Sequence, residues 1–412
     1  MITPLGLSRS ASFEAALNGK SAISPAPDSV RNLLPLSLAA QVSSAFEASL
    51  TSAQKGLDRA TQFSIKATQE ALIDAGFDAD EHQKTRTGIY IGVGMGGAQT
   101  IDTLYTKFFE NLQRAATENR DPTIMHPFAV PRMMANASAA AISINHKLYG
   151  PTYTYSVACS SSSIAIGEAY RALKHGYIDT AIVVGTEAII TPGSFVVWNA
   201  LRVMAKKRMD APEMSCRPFD TERTGFILGE GAAALVLQAE GPKPSCSRAP
   251  YAEICGYGTT TDGVHITLPS ARGQTNAMLA AIEDSGLLPN SIGYINAHGT
   301  ATDAGDVTEI ESIKMAFGQH ASKLMVSSTK AVHGHLIGAT GALEFALSVM
   351  ALESGNVPPT AHLDNPDARC DLDLVPKIAR RNQHLEAVMS NSFAFGGTNA
   401  SLIAKKITPG AG

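Results

Sequence analysis

The sequence predicts an α/β fold in which a largely parallel sheet is covered by helices on both faces. Short β-rich runs alternate with segments of helical spacing over nearly the whole length of the 412-residue chain. A proline-rich segment without periodicity, residues 240–250, indicates a joint between two halves. Several helical segments end in glycine, the residue that helix C-caps prefer: Gly76, Gly176, Gly286 and Gly355.

Each half has its own series of strands and helices, so we predict two units, residues 1–240 and residues 251–412. Loops that follow the strands of both units would meet in the middle, where open α/β sheets bind ligands. The predicted strands lie at 87–97, 153–157, 181–189, 232–240, 253–261, 293–300, 324–330 and 387–395. The predicted helices lie at 64–77, 164–176, 274–287 and 341–355.

The composition is that of a soluble globular protein and excludes several classes. The formal charge of −4 argues against nucleic acid as a main partner. No apolar run approaches the ~18–20 residues that span a bilayer, and no signal peptide is visible, so we predict no membrane association. The five cysteines are an odd number without the spacing of a disulfide framework, which predicts reduced thiols in a cytoplasmic protein.

The central candidate for chemistry is Cys159, which lies in VACSSSS (157–163), where a predicted strand passes into a predicted helix. One interpretation is structural: cysteine is small and easily buried, and the serines cap the helix. The other is a nucleophile whose thiolate is stabilised by the helix N-terminus. On that interpretation, the positive helix end lowers the pKa of the thiol, and the hydroxyl groups satisfy the exposed helix amides.

Two histidine-bearing loops follow strands of the second half. His298 lies in NAHGTAT (296–302), and His333 and His335 lie in SSTKAVHGH (327–335). His298 alone is also compatible with a buried structural histidine. Zinc sites need three or four ligands, and no further His/Cys/Asp cluster has suitable spacing, so we predict no metal. A thiol with two histidines fits acyl transfer, in which a thiolate attacks a thioester and imidazoles stabilise an enolate oxygen.

Two other enzyme classes fit these motifs less well. A papain-like protease needs one histidine and an orienting Asn or Asp, whereas two histidines on Gly/Thr loops favour enolate stabilisation. The glycine-rich run at 92–97 is typical of dinucleotide-binding loops, but no acidic residue follows a matching second strand, so NAD binding is rejected.

Five motifs, in this order along the chain, carry a family resemblance: VACSSS, RPFD-x-x-R-x-GF-x-x-GEGA, NAHGTAT-x-AGD, SSTK-x-x-x-GH-x-x-GA-x-GA-x-E and NSF-x-FGGTN. The sequence resembles the β-ketoacyl-acyl carrier protein synthases of the KAS I/II type, from Pro4 to the end of the chain. The resemblance implies a thiolase fold, with two similar α/β halves in five αβαβα layers. It also implies an acyltransferase that performs a decarboxylative Claisen condensation in type II fatty acid or polyketide biosynthesis.

The resemblance implies a role for each matching residue. Cys159 takes the acyl group, and its backbone N–H forms an oxyanion hole with that of Phe395, which also gates the acyl pocket. His298 and His335 bind the malonyl thioester and stabilise the enolate that forms when CO₂ leaves.

Other residues support these roles. Lys330 and Glu344 match an ion pair that orients the histidines. Contacts to the pantetheine arm and acyl chain are expected from His265, Thr267, Thr300, Thr302, Phe393 and Phe395. A local basic run matches the docking surface for the acidic carrier protein, although its sequence is also compatible with an ordinary solvated loop: Arg202, Lys206, Lys207 and Arg208.

The partners implied are acyl carrier proteins loaded with acyl and malonyl groups. Phosphopantetheine belongs to those substrates, so no cofactor of the enzyme itself is expected. The resemblance also implies a dimer, either of identical chains or with a related subunit. Two alternatives stay open: a non-catalytic partner of the chain-length-factor type, and a carrier-protein acyltransferase or thioester hydrolase on the same fold. The joint presence of Cys159, His298 and His335 disfavours both.

Several features depart from the family pattern. Family members usually have a strand of about ten residues before the segment that matches MITPLG. Ala394 stands where glycine is usual in the gate, and it predicts a less mobile gate because alanine has fewer backbone conformations. His333 replaces a usual threonine, and Asp303 a usual proline. These changes predict a specialised paralogue, with polyene and other polyketide pathways as candidates.

Overall fold

The computed structural model describes residues 1–122, 125–241 and 244–407. The helices in these ranges are α1 (Arg9–Leu17), α2 (Asp28–Arg31), α3 (Ala45–Ala48), α4 (Ser52–Lys55), α5 (Arg59–Ala75), α6 (Glu81–Thr85), α7 (Ala98–Glu118), α8 (Ala129–Met133), α9 (Ala137–His146), α10 (Ser161–Lys174), α11 (Pro192–Ala200), α12 (Ala271–Ser285), α13 (Asp303–Phe317), α14 (Lys330–His333) and α15 (Thr340–Ser354). The strands are β1 (Ile23–Pro25), β2 (Leu38–Ala40), β3 (Thr87–Gly92), β4 (Thr152–Tyr155), β5 (Thr180–Glu187), β6 (Leu228–Gly229), β7 (Gly231–Gln238), β8 (Glu253–Thr261), β9 (Ile292–Asn296), β10 (Met325–Ser327), β11 (Ala387–Phe393) and β12 (Thr398–Lys405).

Two main sheets form the framework, one from each half of the chain. The first has the strand order β4-β3-β5-β7 and the second β10-β9-β11-β12-β8. A small third sheet, β1-β2-β6, lies beside them. The two central strands β3 and β5 are buried along their whole length, as near-continuous apolar runs require.

The prediction of a largely parallel sheet holds only in part, because both main sheets combine parallel and antiparallel pairs. Strand β7 runs antiparallel to β5, and β12 runs antiparallel to both β11 and β8. The reason is local for β11 and β12: residues 394–397 connect them directly, and so short a connection can join only antiparallel strands.

Helices and sheets stack in five layers. Helices α10 and α15 lie between the two main sheets and contact strands of both. Helices α5 and α9 cover the outer face of the first sheet, and α12 covers that of the second with α13 packed against it. The expectation that no segment could span a bilayer was wrong by length and composition, since Ile337–Ser354 is long and apolar enough. Most of that segment is buried between the sheets, as expected of a core helix.

The predicted strands and helices are all present, with ends that differ by a few residues. Of the elements that were not predicted, the longest helices are α7 and α13 and the longest strand is β12. The 240–250 joint includes residues 242–243, which lie outside the described residues, so the boundary between halves stays a prediction. The carboxyl ends of β4, β9, β10 and β11 lead into the segments that carry the four predicted site motifs, which brings those motifs together.

Candidate active site

Cys159 sits in a tight turn between β4 and α10. The turn Ala158–Ser160 is a short 3₁₀ helix that precedes α10 directly. Ala158 has a φ of 50°, a left-handed conformation that costs a non-glycine residue energy. The close approach of β3 to this turn requires glycine at position 92, where a Cβ would lie 2.2 Å from the Ser162 Cα. The sulfur is thereby held at one buried position.

The prediction that the serine hydroxyls satisfy the amides of the following helix was wrong. Ser160, the N-cap of α10, donates from its hydroxyl to the Val157 carbonyl instead. Ser161 donates to the Ala158 carbonyl, at 2.6 Å. The hydroxyl of Ser162 accepts from the Ala342 amide of α15, at 2.8 Å. The serines therefore fix the turn and dock it against α15.

The Cys159 thiol and two imidazoles converge as predicted. The His335 Nε2 lies 3.0 Å from the Cys159 Sγ. The ring of His298 packs edge-on to that of His335, with 5.6 Å between centroids. On its other side, the His298 ring lies 6.1 Å from the Phe393 ring. One ligand-type atom from each of the three polar residues lies within 4.8 Å of the others.

The expected lowering of the Cys159 pKa by the helix was wrong for the free thiol. Burial raises the pKa of Cys159 to about 12, although the Lys330 ammonium and the backbone N–H groups of Phe395 and Cys159 oppose the shift. The same two amides interact with the sulfur, and they are the pair expected to form the oxyanion hole. The resting thiol is therefore neutral, and its proton must move to a base when it reacts.

Both histidines are neutral. Burial and the nearby Lys330 ammonium hold the pKa of His298 and of His335 well below the usual range. The His335 Nδ1 is 2.9 Å from the Thr340 hydroxyl, which can accept from or donate to that nitrogen. His335 can thus present either a lone pair or an N–H at Nε2. Within the part of the chain that the structure describes, the Nδ1 of His298 has no hydrogen-bond partner.

Lys330 and Glu344 form a fully buried ion pair, as expected. The Lys330 Nζ lies 2.7 and 2.9 Å from the two carboxylate oxygens. Burial raises the pKa of Glu344, and Lys330 opposes that shift. His333 lies beside the pair, with Nδ1 donating to the Gly334 carbonyl at 2.7 Å. Its Nε2 therefore accepts from the Thr329 hydroxyl, at 3.0 Å. Burial lowers the pKa of His333 to about 3, so it adds no charge.

Two buried carboxylates were missed by the sequence analysis. Glu309 accepts from the backbone N–H groups of His298 and Gly299, at 2.8 and 2.7 Å, and so fixes the His298 loop. Glu187 accepts from Gly94, Met95 and Gly338, which ties the loop after β3 to the segment after His335. A carboxylate at the end of the apolar strand 181–187 was the available signal for Glu187. Nothing in the sequence separates Glu309 from an ordinary helix carboxylate.

Phe395 is half-buried at the turn between β11 and β12. Its ring faces Trp198, with centroids 6.3 Å apart and planes 25° from parallel. Gly396, at a φ of 86°, donates to the Ile266 carbonyl at 2.7 Å. The gate is thereby linked to the loop that carries two predicted substrate contacts, His265 and Thr267, whose own hydrogen bonds stay within that loop.

The threonines predicted to contact the pantetheine arm are adjacent, with the hydroxyls of Thr300 and Thr302 2.9 Å apart. They are not joined by a hydrogen bond to the 265–267 loop in the part of the chain described. Asp303, next in sequence, pairs with Arg223 and Arg369 at 2.8 and 2.7 Å. The unusual aspartate thus joins a charge network that extends from the buried Arg223 to the exposed Arg369.

The predicted docking residues divide into two groups. Arg208 is paired with Asp210 and Glu222, at 3.2 and 3.1 Å, so its charge is largely compensated. Within the described ranges, no ion pair is found for the other three: Arg202, Lys206 and Lys207. We call these three residues the basic loop. Because their charges are not compensated by described residues, they can bind an acidic partner.

The prediction that the site holds no metal stays untested. The structure does bring Cys159, His298 and His335 within reach of one ion, which spacing along the sequence did not indicate. The residues belong to three separate strand ends, so only the fold assembles them.

The sequence is also similar to those of known proteins. The chain matches the family described as Beta-ketoacyl synthase, N-terminal domain, over residues 1–241, and Beta-ketoacyl synthase, C-terminal domain, over residues 251–364. It is 38% identical to 3-oxoacyl-[acyl-carrier-protein] synthase 2 of Coxiella burnetii, over 99% of this chain and 97% of that protein.

Solved structures are also similar. A β-ketoacyl synthase from Burkholderia phymatum STM815 superimposes with a TM-score of 0.88 at 33% identity, covering 99% of this chain and 97% of that one. The ishigamide ketosynthase/chain length factor gives a TM-score of 0.87 at 26% identity, with the same coverage. These neighbours confirm the predicted thiolase fold of two α/β halves in five layers.

Proposed function

This chain belongs to the β-ketoacyl synthase family, and from that premise we propose that it extends an acyl chain by decarboxylative condensation with a malonyl carrier protein. The observation that carries the proposal is the convergence of Cys159 with two neutral imidazoles, those of His298 and His335. The curated relatives are 3-oxoacyl-[acyl-carrier-protein] synthases, which supports condensation in fatty acid synthesis.

Acylation of Cys159 is the first half-reaction. His335 accepts the thiol proton at Nε2, 3.0 Å from Sγ, as sulfur attacks the thioester carbonyl of the acyl carrier protein. The backbone N–H groups of Cys159 and Phe395 stabilise the tetrahedral oxyanion. The carrier C–S bond then breaks, and the departing pantetheine thiolate takes the proton back from His335.

Condensation is the second half-reaction. The malonyl C–C bond to the carboxylate breaks, CO₂ leaves, and the electron pair forms an enolate on the thioester. Neutral histidines stabilise this oxygen when each donates an N–H. His335 can donate from Nε2 because its Nδ1 then accepts a hydrogen bond from the Thr340 hydroxyl. The enolate carbon attacks the acyl carbonyl, the bond to Cys159 Sγ breaks, and the resulting thiolate takes up one proton.

A non-catalytic chain-length-factor role and a simple acyltransferase are the alternatives. The first needs no nucleophile, and the second can dispense with one histidine. The placement of Cys159, His298 and His335 around one point favours the synthase over both.

We propose that the carrier protein docks at the basic loop, and that the enzyme acts as a dimer in a reducing cytoplasm. The loop's uncompensated charges suit an acidic partner. Among the described strands, β4 pairs only with β3, and its Tyr153 is half exposed, so its second edge is available to another copy. All five cysteines are free, which fits a reducing compartment.

We further propose a specialised acyl preference, with conjugated or polyketide chains as the candidate class. It rests on Ala394 in the gate, His333 beside the buried ion pair, and Asp303 next to the threonines. The enzyme itself is proposed to need no cofactor beyond the pantetheine arm of its substrates.

A product assay tests this function. The protein would receive acyl carrier proteins bearing saturated or conjugated chains, together with malonyl carrier protein, and CO₂ and 3-ketoacyl products would be measured. The synthase assignment predicts equal amounts of CO₂ and product, and loss of product in Cys159→Ala. Acyl exchange without CO₂ would contradict it, and equal rates for saturated and conjugated primers would contradict the specialised preference.

A further inference from the structure

The three polar residues of the site offer a ligand set of the kind that soft divalent cations prefer. A sulfur from Cys159 and ring nitrogens from His298 and His335 all lie within 4.8 Å of one another. Zinc binds cysteine at about 2.3 Å and histidine at about 2.0–2.1 Å in a tetrahedral arrangement. That geometry separates ligand atoms by about 3.3–3.7 Å, so shifts of about 1 Å would complete it.

The surroundings also suit a metal. The His335 Nδ1 is hydrogen-bonded to Thr340, which leaves Nε2 directed at the sulfur, and metal-bound histidines usually use their second nitrogen in this way. Among the described residues, the Nδ1 of His298 has no hydrogen-bond partner, so this nitrogen is open to a ligand. His298 is only half-buried, whereas the other two ligands are buried, so an ion can enter from its side. The fourth position is left for water.

The nearby charges oppose a cation only in part, because the ammonium that lowers the pKa of both histidines is itself paired with a carboxylate. The Lys330 ammonium is the positive group near the site, and the Glu344 carboxylate holds it at 2.7 Å. A second carboxyl group, that of Glu309, lies behind the backbone of His298. These two carboxyl groups offset part of the positive charge of Lys330.

We propose that the unacylated enzyme binds one thiophilic divalent cation of the Zn²⁺ class through Cys159, His298 and His335, and that this binding blocks acylation. The S–H bond of Cys159 breaks, a sulfur–metal bond forms, and the proton is released to solvent, with no change of oxidation state. Acylation removes the free thiol, so metal and acyl group exclude each other. The blocking of acylation rests on the proposed function, but the binding itself does not.

Cobalt is the probe, because a thiolate bound to Co²⁺ gives a near-ultraviolet charge-transfer band that nitrogen-only sites lack. Co²⁺ would be titrated into tag-free protein and then displaced with Zn²⁺. We expect one equivalent to give the band, and Cys159→Ala to abolish it. Cys246→Ala is the matched control, because Cys246 is the half-buried thiol outside the site, and it should keep the band.

Two further experiments complete the test. Alkylating Cys159 with iodoacetamide in the Cys246→Ala background should abolish the band whether or not the protein transfers acyl groups. Thr340→Val should weaken Co²⁺ binding by about 10- to 100-fold, as loss of a partner behind a ligand does. A folded enzyme that condenses acyl chains but gives no band would overturn the metal inference alone. A band in a protein that accepts no acyl group would overturn only the proposed function.

Discussion

Burial governs the reactivity of Cys159 more strongly than the helix that follows it. With its pKa raised to about 12, the free thiol is neutral throughout the physiological range, and the thiolate fraction grows tenfold with each pH unit. We predict that alkylation of Cys159 by iodoacetamide accelerates steadily from pH 6 to pH 9. Peptide mass spectrometry would follow the modification, with Cys159→Ala giving the background. A plateau below pH 8 would show an activated thiolate and contradict this account.

The mobility of the gate also depends on a single residue, Ala394. Ala394 is buried in the apolar cluster that contains Cys159, and its amide donates to the Thr398 carbonyl at 2.9 Å. Glycine differs from alanine by about 0.5–1 kcal/mol in conformational freedom. Ala394→Gly is therefore predicted to speed amide exchange at Phe395 and Gly396 about two- to fivefold. Hydrogen exchange of the wild-type protein and the variant, each free and acylated, would measure the rates. Equal exchange in wild type and variant would refute the prediction.

At the scale of elements, α14 and α15 are joined by the Lys330–Glu344 pair. Removing one partner leaves an uncompensated buried charge, which costs about 3–5 kcal/mol. We predict that Glu344→Leu and Lys330→Met each lower the free energy of unfolding by about that amount, and that the double variant loses less than the two together. Urea unfolding measures all four proteins of the cycle. Additive losses would mean that the pair is not coupled.

The elements also show what could be predicted from the sequence. The strands, helices and glycine C-caps follow from local periodicity, and they lie close to where the pattern placed them. The direction of β12 does not, because it depends on a hairpin that brings Thr398 back along β11. The role of Glu309 was also hidden, since it binds the backbone of the loop before its own helix. For Glu187 the sequence offered only a carboxylate at the end of an apolar strand, because the loops that it joins are far away in sequence.

At the scale of the whole molecule, one edge of β4 pairs with no strand that the structure describes, which predicts association of two chains. An edge strand with exposed backbone groups pairs readily with another copy. We predict a dimer by light scattering, and dissociation in a Tyr153→Asp variant, because a charge on the exposed strand face opposes its burial. Tyr177→Asp is a matched control, since Tyr177 is an exposed tyrosine outside β4. A wild-type monomer, or a Tyr153→Asp dimer, would contradict the prediction.

The site as a whole was predictable only in part, because its geometry depends on contacts between segments that are far apart in sequence. Motifs identified Cys159, His298 and His335, but their mutual distances arise from three strand ends that two different sheets hold together. The arrangement of the serines and the neutral state of the thiol depend on packing against α15, which no local pattern reveals.

The central claim is that Cys159 carries the acyl group that the malonyl unit then takes. Intact-protein mass spectrometry tests it in two steps, first with acyl carrier protein and then with malonyl carrier protein. The account predicts an acyl adduct on Cys159 that disappears when malonyl is added, as a 3-ketoacyl product forms. An adduct that persists, or that is released only as the free acid, would contradict it.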